Sequence, residues 1–129
     1  MQPTIKQVVI LGSGVMGSRI ACHFAGIGVQ VLLLDRLQPG AEESKQSKER
    51  NKLVNDALQA SIKSNPSPIY SSAFTKNIRT GNFTDDMSKI ANADWIIEVV
   101  VERLDIKKSI YDQVEQFRKP GTLVSSNTS

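Results

Sequence analysis

The stretch Gln7-Val8-Val9-Ile10-Leu11-Gly12-Ser13-Gly14-Val15-Met16-Gly17, followed 18 residues later by Asp35, decides how this chain reads. Gln7 to Leu11 is a short, nearly unbroken apolar run, the pattern of a strand buried on both faces, and such strands belong to parallel sheets. Gly12 to Gly17 matches the spacing G-x-G-x-x-G. Beyond it Val15, Met16, Ile20, Phe24 and Ile27 recur at helical spacing, and Gly26 and Gly28 mark the exit. A second buried run, Val29 to Leu34, ends at Asp35. Strand, crossover helix and strand together fill about 30 residues, the length that a right-handed parallel connection needs.

In that setting each glycine has a task. Gly12 permits a tight turn, Gly14 lets backbone approach a pyrophosphate, and Gly17 lets helix and strand pack closely. Amides at the helix start, at the positive end of its dipole, face the phosphates, so Gly12, Ser13, Gly14, Val15, Met16 and Gly17 are candidate cofactor-binding residues. Asp35 stands where a carboxylate meets the adenosine ribose hydroxyls of NAD. The phosphate of NADP would meet the same carboxylate at a cost of roughly 1 kcal/mol in water and about 4 at an effective dielectric of 20, for charges about 4 Å apart. Arg36 bears on the same choice, because a guanidinium there can stack on adenine or offset a phosphate. The cofactor expected is NAD.

The rest of the chain continues the alternation. Residues 38–50 are polar, and Leu53, Val54, Ala57, Leu58 and Ile62 then form an apolar stripe, which predicts a solvated helix start that becomes amphipathic. Pro66 and Pro68 make Ser64 to Pro68 a loop. A short third strand is expected over Asn77–Thr80 and a short helix over Asp85–Ile90. Trp95 to Val101 reads as a buried strand, and Ile106, Ile110, Tyr111, Val114 and Phe117 as one helical stripe ending at Pro120-Gly121. Thr122–Ser125 is a last strand, and Ser126-Asn127-Thr128-Ser129 is a polar turn at its carboxyl end, where open α/β sheets bind ligands. The expected fold is α/β, a Rossmann-type doubly wound parallel sheet with strand order 3-2-1-4-5, truncated after the fifth strand, with residues 1–129 as one domain.

Composition agrees with a single ordinary globular core: 129 residues, 40% hydrophobic and 22% charged. The net charge of +3 comes from 16 basic residues scattered along the chain, which argues against nucleic acid as a partner. Cys22 is the sole cysteine, so no internal disulfide is possible, and no Cys/His cluster has metal-ligand spacing. No metal is expected. The start of the chain lacks the pattern of a signal peptide, and no apolar run approaches the roughly 18 residues that span a bilayer. A reducing, cytoplasmic setting without a membrane partner follows as the expectation. His23, the sole histidine, lies within the first crossover helix and reads as a packing or surface residue rather than a general base.

Three segments together, Gly12 to Gly17, Asp94-Trp95-Ile96-Ile97-Glu98-Val99-Val100-Val101-Glu102 and Ser125-Ser126-Asn127-Thr128-Ser129, resemble the N-terminal domain of 3-hydroxyacyl-CoA dehydrogenases. The resemblance covers nearly the whole chain, and the Ser-Asn-Thr-Ser turn is more specific than the glycine motif. Asn77 to Met87 and the Asn65 to Pro68 loop look like the bacterial branch in which this domain sits in a longer chain with an enoyl-CoA hydratase domain.

The resemblance implies oxidation of 3-hydroxyacyl-CoA to 3-ketoacyl-CoA in fatty acid β-oxidation. It places Glu102 on the nicotinamide-side ribose, Lys107, Val101 and Asn127 near the same cofactor, and Ser129 against both nicotinamide and the substrate's 3-oxygen. It places the catalytic histidine and the dimerising helices beyond Ser129, so residues 1–129 are expected to be a monomer without turnover and the parent a homo-oligomer. Acyl-CoA is the implied substrate. Coenzyme A meets residues 41–63 in the family, where Lys45, Lys48, Lys52 and Lys63 are candidates, but no coenzyme A site is assigned. Arg103 departs from the family's usual asparagine. Glu98 matches the family but lies in an apolar strand, where a carboxylate needs hydrogen-bond partners, and it reads as structural. Two alternatives remain open: a Rossmann dehydrogenase of the 3-hydroxyisobutyrate or 6-phosphogluconate type, and a non-catalytic nucleotide-sensing module.

Overall fold

The computed structural model describes residues 5–64, 72–100 and 104–126. Its five strands are β1 (Gln7–Leu11), β2 (Gln30–Asp35), β3 (Ile78–Asn82), β4 (Trp95–Glu98) and β5 (Leu123–Ser126). They form one sheet in the order β3-β2-β1-β4-β5, and every neighbouring pair is parallel. The crossovers carry helices α1 (Val15–Gly26), α2 (Ser47–Arg50), α3 (Lys52–Ile62) and α4 (Leu104–Phe117), with 3-10 turns at Ser72–Asn77 and Met87–Asn92. The expected α/β fold and its strand order are therefore observed.

Alternation along β1 explains the double winding. Val8 and Ile10 point to the face covered by α1 and α3, in a cluster with Val31, Leu33, Val54, Leu58 and Ile97. Val9 and Leu11 point to the other face, with Leu34, Ile90, Ile96, Ile110 and Val114. Each such aliphatic side chain, once fully buried, contributes about 1.5 to 3 kcal/mol. The amino edge is stapled by Asp94, whose Oδ2 accepts from the amides of Lys6 and Gln7 at 2.9 and 3.0 Å.

Three expectations need correction. The apolar stripe read along α1 is not its buried face: Val15, Met16 and Ile27 are exposed, while Gly17, Ser18, Ala21, Cys22 and Ala25 are buried. Close approach of helix to sheet selects small residues there, and only Ile20 and Phe24 of the stripe reach the core, as partly buried neighbours. The solvated helix start expected over the polar residues 38–50 begins only at Ser47, and the helix is interrupted at Asn51 before the amphipathic stretch. Before it, Arg50 donates from Nη1 to the carbonyls of Glu42 and Ser44, both at 3.0 Å, satisfying backbone that a helix would otherwise pair. The short helix expected over Asp85–Ile90 is a 3-10 turn over Met87–Asn92. The last stripe holds where it is described, with Ile110 and Val114 buried; the side chain of Ile106 and the Asn65 to Pro68 loop lie outside the described residues.

Candidate functional site

The strand order switches sides between β1 and β4, so a crevice opens at the carboxyl ends of these two parallel strands, the place where doubly wound sheets take ligands. The glycine loop forms one wall. Gly12 has φ +112°, a conformation that favours glycine, and a Cβ there would also stand 3.1 Å from the backbone of Val99. At Gly17 the demand is stronger, since a Cβ would lie 1.8 Å from the carbonyl oxygen of Gly12. Gly14 differs, because a Cβ there would meet nothing within 4 Å. Its hydrogen therefore faces open space at the mouth of α1, where backbone and ligand can approach closely. Helix α1 has no side-chain cap and no acidic residue in its first turn, and its backbone ladder begins with the Ser18 amide donating to the Gly14 carbonyl at 2.9 Å. That terminus presents a positive dipole end with no carboxylate in its own first turn.

Asp35 ends β2 beside this loop and is 8% exposed. Its Oδ2 accepts from the Ser13 amide at 2.7 Å and the Ser13 hydroxyl at 2.6 Å, and its Oδ1 accepts from the Arg36 amide at 2.7 Å. Ser18 Oγ donates to the Ser13 carbonyl at 2.6 Å, completing a chain from β2 through the loop to α1. Both donors of Ser13 are thus used by Asp35 within the protein. A carboxylate offers about four acceptor positions, so Oδ1 retains one direction for a further donor such as a ribose hydroxyl. Arg36 itself is exposed. A groove of about 310 Å³ continues the cleft between α1 and α3, lined by residues including Ser13, Gly14, Arg19, Ala57 and Ser61.

The other wall comes from β4 and β5. Glu98 is 1% exposed and has the partners its burial requires. Its Oε1 accepts from Tyr111 Oη at 2.8 Å and from Ser126 Oγ at 3.0 Å, and its Oε2 accepts from the Val100 amide. The Tyr111 hydroxyl is pushed above its ordinary range chiefly by burial, with the Glu98 carboxylate adding to this and the Ser126 hydrogen bond opposing it. Lys107 is half-buried on α4. Val101, Glu102, Arg103, Asn127 and Ser129 lie outside the described residues.

His23 is exposed in the last turn of α1, in edge-on contact with Phe24 at 5.7 Å between ring centroids. Because α1 runs back from the ligand edge, His23 lies toward the amino ends of the strands. Among the described residues no group of three or more His, Cys, Asp or Glu side chains is placed to hold a metal, and no helix is long and apolar enough to cross a membrane. Sequence reasoning missed Tyr111 and Ser126 as partners of Glu98, and it missed Ser18. Glu98 inside an apolar strand signalled that donors must exist without saying which.

Comparison with known proteins fits this geometry. Residues 7–129 match the family model described as "3-hydroxyacyl-CoA dehydrogenase, NAD binding domain". A probable 3-hydroxyacyl-CoA dehydrogenase of Bacillus subtilis is 46% identical over 137 aligned positions, which cover all of this chain and 17% of the relative. A putative fatty acid oxidation complex trifunctional enzyme of Rickettsia felis is 37% identical, again over all of this chain and 17% of its own length. The crystal structure of 3-hydroxybutyryl-CoA dehydrogenase from Escherichia coli superposes with a TM-score of 0.64 at 29% identity, covering 98% of this chain and 25% of that one. The chain thus spans about a sixth of the length of those two curated relatives, and it belongs to the family of NAD-binding domains of 3-hydroxyacyl-CoA dehydrogenases.

Proposed function

We propose that this chain holds NAD for the oxidation of 3-hydroxyacyl-CoA to 3-ketoacyl-CoA, as in fatty acid β-oxidation. The observation that carries the reading is the pairing of an open Gly14 at an uncapped helix start with a fixed carboxylate, Asp35, one strand away. When bound, NAD supplies a hydride acceptor. Gly14, Val15 and Met16 would hold its pyrophosphate, and Asp35 its adenosine ribose. By the family's pattern Val101, Glu102, Lys107 and Asn127 would hold the nicotinamide half, with Ser129 orienting the substrate oxygen.

The proton-accepting base is not His23, which faces the wrong edge of the sheet, and a neutral serine such as Ser129 has little tendency to take a proton. General-base catalysis is worth about 10² to 10⁴ in rate, and positioning contributes further. We therefore expect the base from polypeptide other than these 129 residues, in an oligomeric parent, with the 129-residue chain itself monomeric. A reducing cytoplasmic setting suits the buried thiol of Cys22. The names of the Rickettsia and Bacillus relatives support an acyl-CoA substrate within a larger fatty acid oxidation enzyme.

The test is sequential calorimetry on the 129-residue chain, with NAD first and acetoacetyl-CoA second, beside a turnover assay with 3-hydroxybutyryl-CoA. Binding of both ligands without turnover is expected. A chain that binds NAD and ignores the acyl-CoA would instead fit a nucleotide-sensing module. Turnover that disappears in His23→Ala would contradict the placement of the base.

A further inference from the structure

The residue between the first two glycines of a G-x-G-x-x-G loop needs no particular side chain for the turn, and here it is a serine that is 1% exposed. Two donors of that one residue converge on one oxygen. The Ser13 amide and hydroxyl both donate to Asp35 Oδ2, at 2.7 and 2.6 Å. Because the acceptor is a carboxylate, the hydroxyl proton lies on the Asp35 side, and Ser13 Oγ has only lone pairs left to offer. Lone pairs repel a phosphate. The Gly12 amide is likewise turned to β2, donating to the Leu34 carbonyl at 2.8 Å. Ser13 is therefore a poor phosphate ligand, although it lines the cleft beside Gly14.

What Ser13 does is occupy one oxygen of Asp35. A carboxylate offers about four acceptor positions, about two on each oxygen. Ser13 fills those on Oδ2, and the Arg36 amide fills one on Oδ1 at 2.7 Å, which leaves a single position on Oδ1. Ser18 Oγ donates to the Ser13 carbonyl at 2.6 Å, so Ser13 is held from both sides against swinging away from Oδ2. The vicinal diol of a ribose, by contrast, brings two donors. We infer that Ser13 is a positioning residue that limits Asp35 to one of the two adenosine-ribose hydroxyls and presents Oδ1 to it. The inference rests on the proposed NAD reading and narrows it: one hydroxyl of that ribose is indispensable, and the other can be replaced by hydrogen.

The experiment measures by calorimetry the binding of NAD, and of its analogues lacking the 2′- or the 3′-hydroxyl of the adenosine ribose. The proteins are the unaltered 129-residue chain, Ser13→Gly and Ser13→Ala. In the unaltered chain one analogue should bind about tenfold more weakly than NAD, the effect of one charge-assisted hydrogen bond, and the other within about threefold of NAD. Ser13→Gly removes the hydroxyl and opens room beside Oδ2, so the tolerated analogue should now also fall about fivefold or more behind NAD. Ser13→Ala removes the same donor without adding backbone freedom, and should narrow the difference between the analogues in the same direction. A merely structural role for Ser13 would weaken all three ligands alike in both variants and leave their ratios unchanged, which would overturn the inference. Equal weakening of the two analogues in the unaltered chain, as a two-hydroxyl grip gives, or full affinity for both, would overturn it as well. Failure of the unaltered chain to bind NAD at all would overturn the NAD reading and this inference with it.

Discussion

On the β1 side the cleft is shaped by what its residues lack, whereas on the β4 side it is shaped by one side chain. Gly17 brings α1 against the turn because it has no Cβ, and Gly14 leaves its approach open for the same reason. Glu98, by contrast, gathers a strand exit, a strand end and a helix onto one carboxylate. A steric absence cannot be replaced by a compensating neighbour when the obstacle is backbone. A buried polar network can be removed as a unit, because apolar groups of the same shape need no partners.

The largest effect is expected at Gly17. An alanine Cβ would sit 1.8 Å from the Gly12 carbonyl oxygen, so the turn or the helix must shift. Gly17→Ala should cost about 3 kcal/mol or more of stability, at or beyond the upper end for overpacking, as read by urea unfolding. A loss under about 1 kcal/mol would mean that the two elements part easily. Next comes Glu98→Leu, which takes the acceptor from the buried Val100 amide and should cost about 2 kcal/mol. A loss under about 0.5 kcal/mol in Glu98→Leu would mean that this carboxylate does not organise the wall, and the contrast between the two walls fails.

Gly14→Ala separates binding from folding. Its Cβ would enter open space, so stability should change by no more than about 0.5 kcal/mol. NAD affinity should nevertheless fall at least about tenfold, because the methyl group takes the room the pyrophosphate needs. Unchanged NAD affinity in Gly14→Ala would place the phosphates elsewhere.

How far the sequence could anticipate these features depends on how local their causes are. The strands and their order follow from apolar runs buried on both faces, and the glycine loop from a fixed spacing; both causes lie within a few residues. The buried face of α1 did not follow, because apolar periodicity points to Val15, Met16 and Ile27, while close approach to the sheet selects for size and buries Gly17, Ala21 and Ala25. The irregular path before Ser47 depends on Arg50, whose guanidinium reaches forward to Asp85 with two bonds, at 2.8 and 2.9 Å, as well as back to local carbonyls. The spacing marks Asp35 as a candidate ribose ligand but carries no sign of its role as the anchor of Ser13, a contact 22 residues apart in sequence. Glu98 announced its need for donors, yet Tyr111 and Ser126 stand 13 and 28 residues away and carry no pattern of their own.

The smallest effect belongs to the rim, away from both walls. The Asp85 carboxyl is lowered from 3.8 to about 2 by its hydrogen bonds from Arg50 and then Asn82, and Asp94 is lowered by the Lys6 and Gln7 amides. A carboxylate depressed on folding stabilises the native state fully above its unfolded value and loses that contribution as pH falls through the folded one. The urea midpoint should therefore decline modestly between pH 3.8 and about 2, and Arg50→Gln should flatten part of that decline. An unaltered slope in Arg50→Gln would show that Asp85 does not respond to its guanidinium partner.

The most direct test of the NAD assignment is a calorimetric comparison of NAD and NADP on the 129-residue chain and on Asp35→Ala. The unaltered chain should prefer NAD by at least about fivefold, since a phosphate near the buried Asp35 carboxylate costs about 1 to 4 kcal/mol depending on the local dielectric. Asp35→Ala should narrow that gap from both sides, weakening NAD through the lost hydroxyl acceptor and the loosened Ser13, and relieving NADP of the repulsion. Equal affinity of the unaltered chain for the two dinucleotides, or a gap that Asp35→Ala leaves intact, would contradict the assignment of Asp35 as the residue that selects NAD.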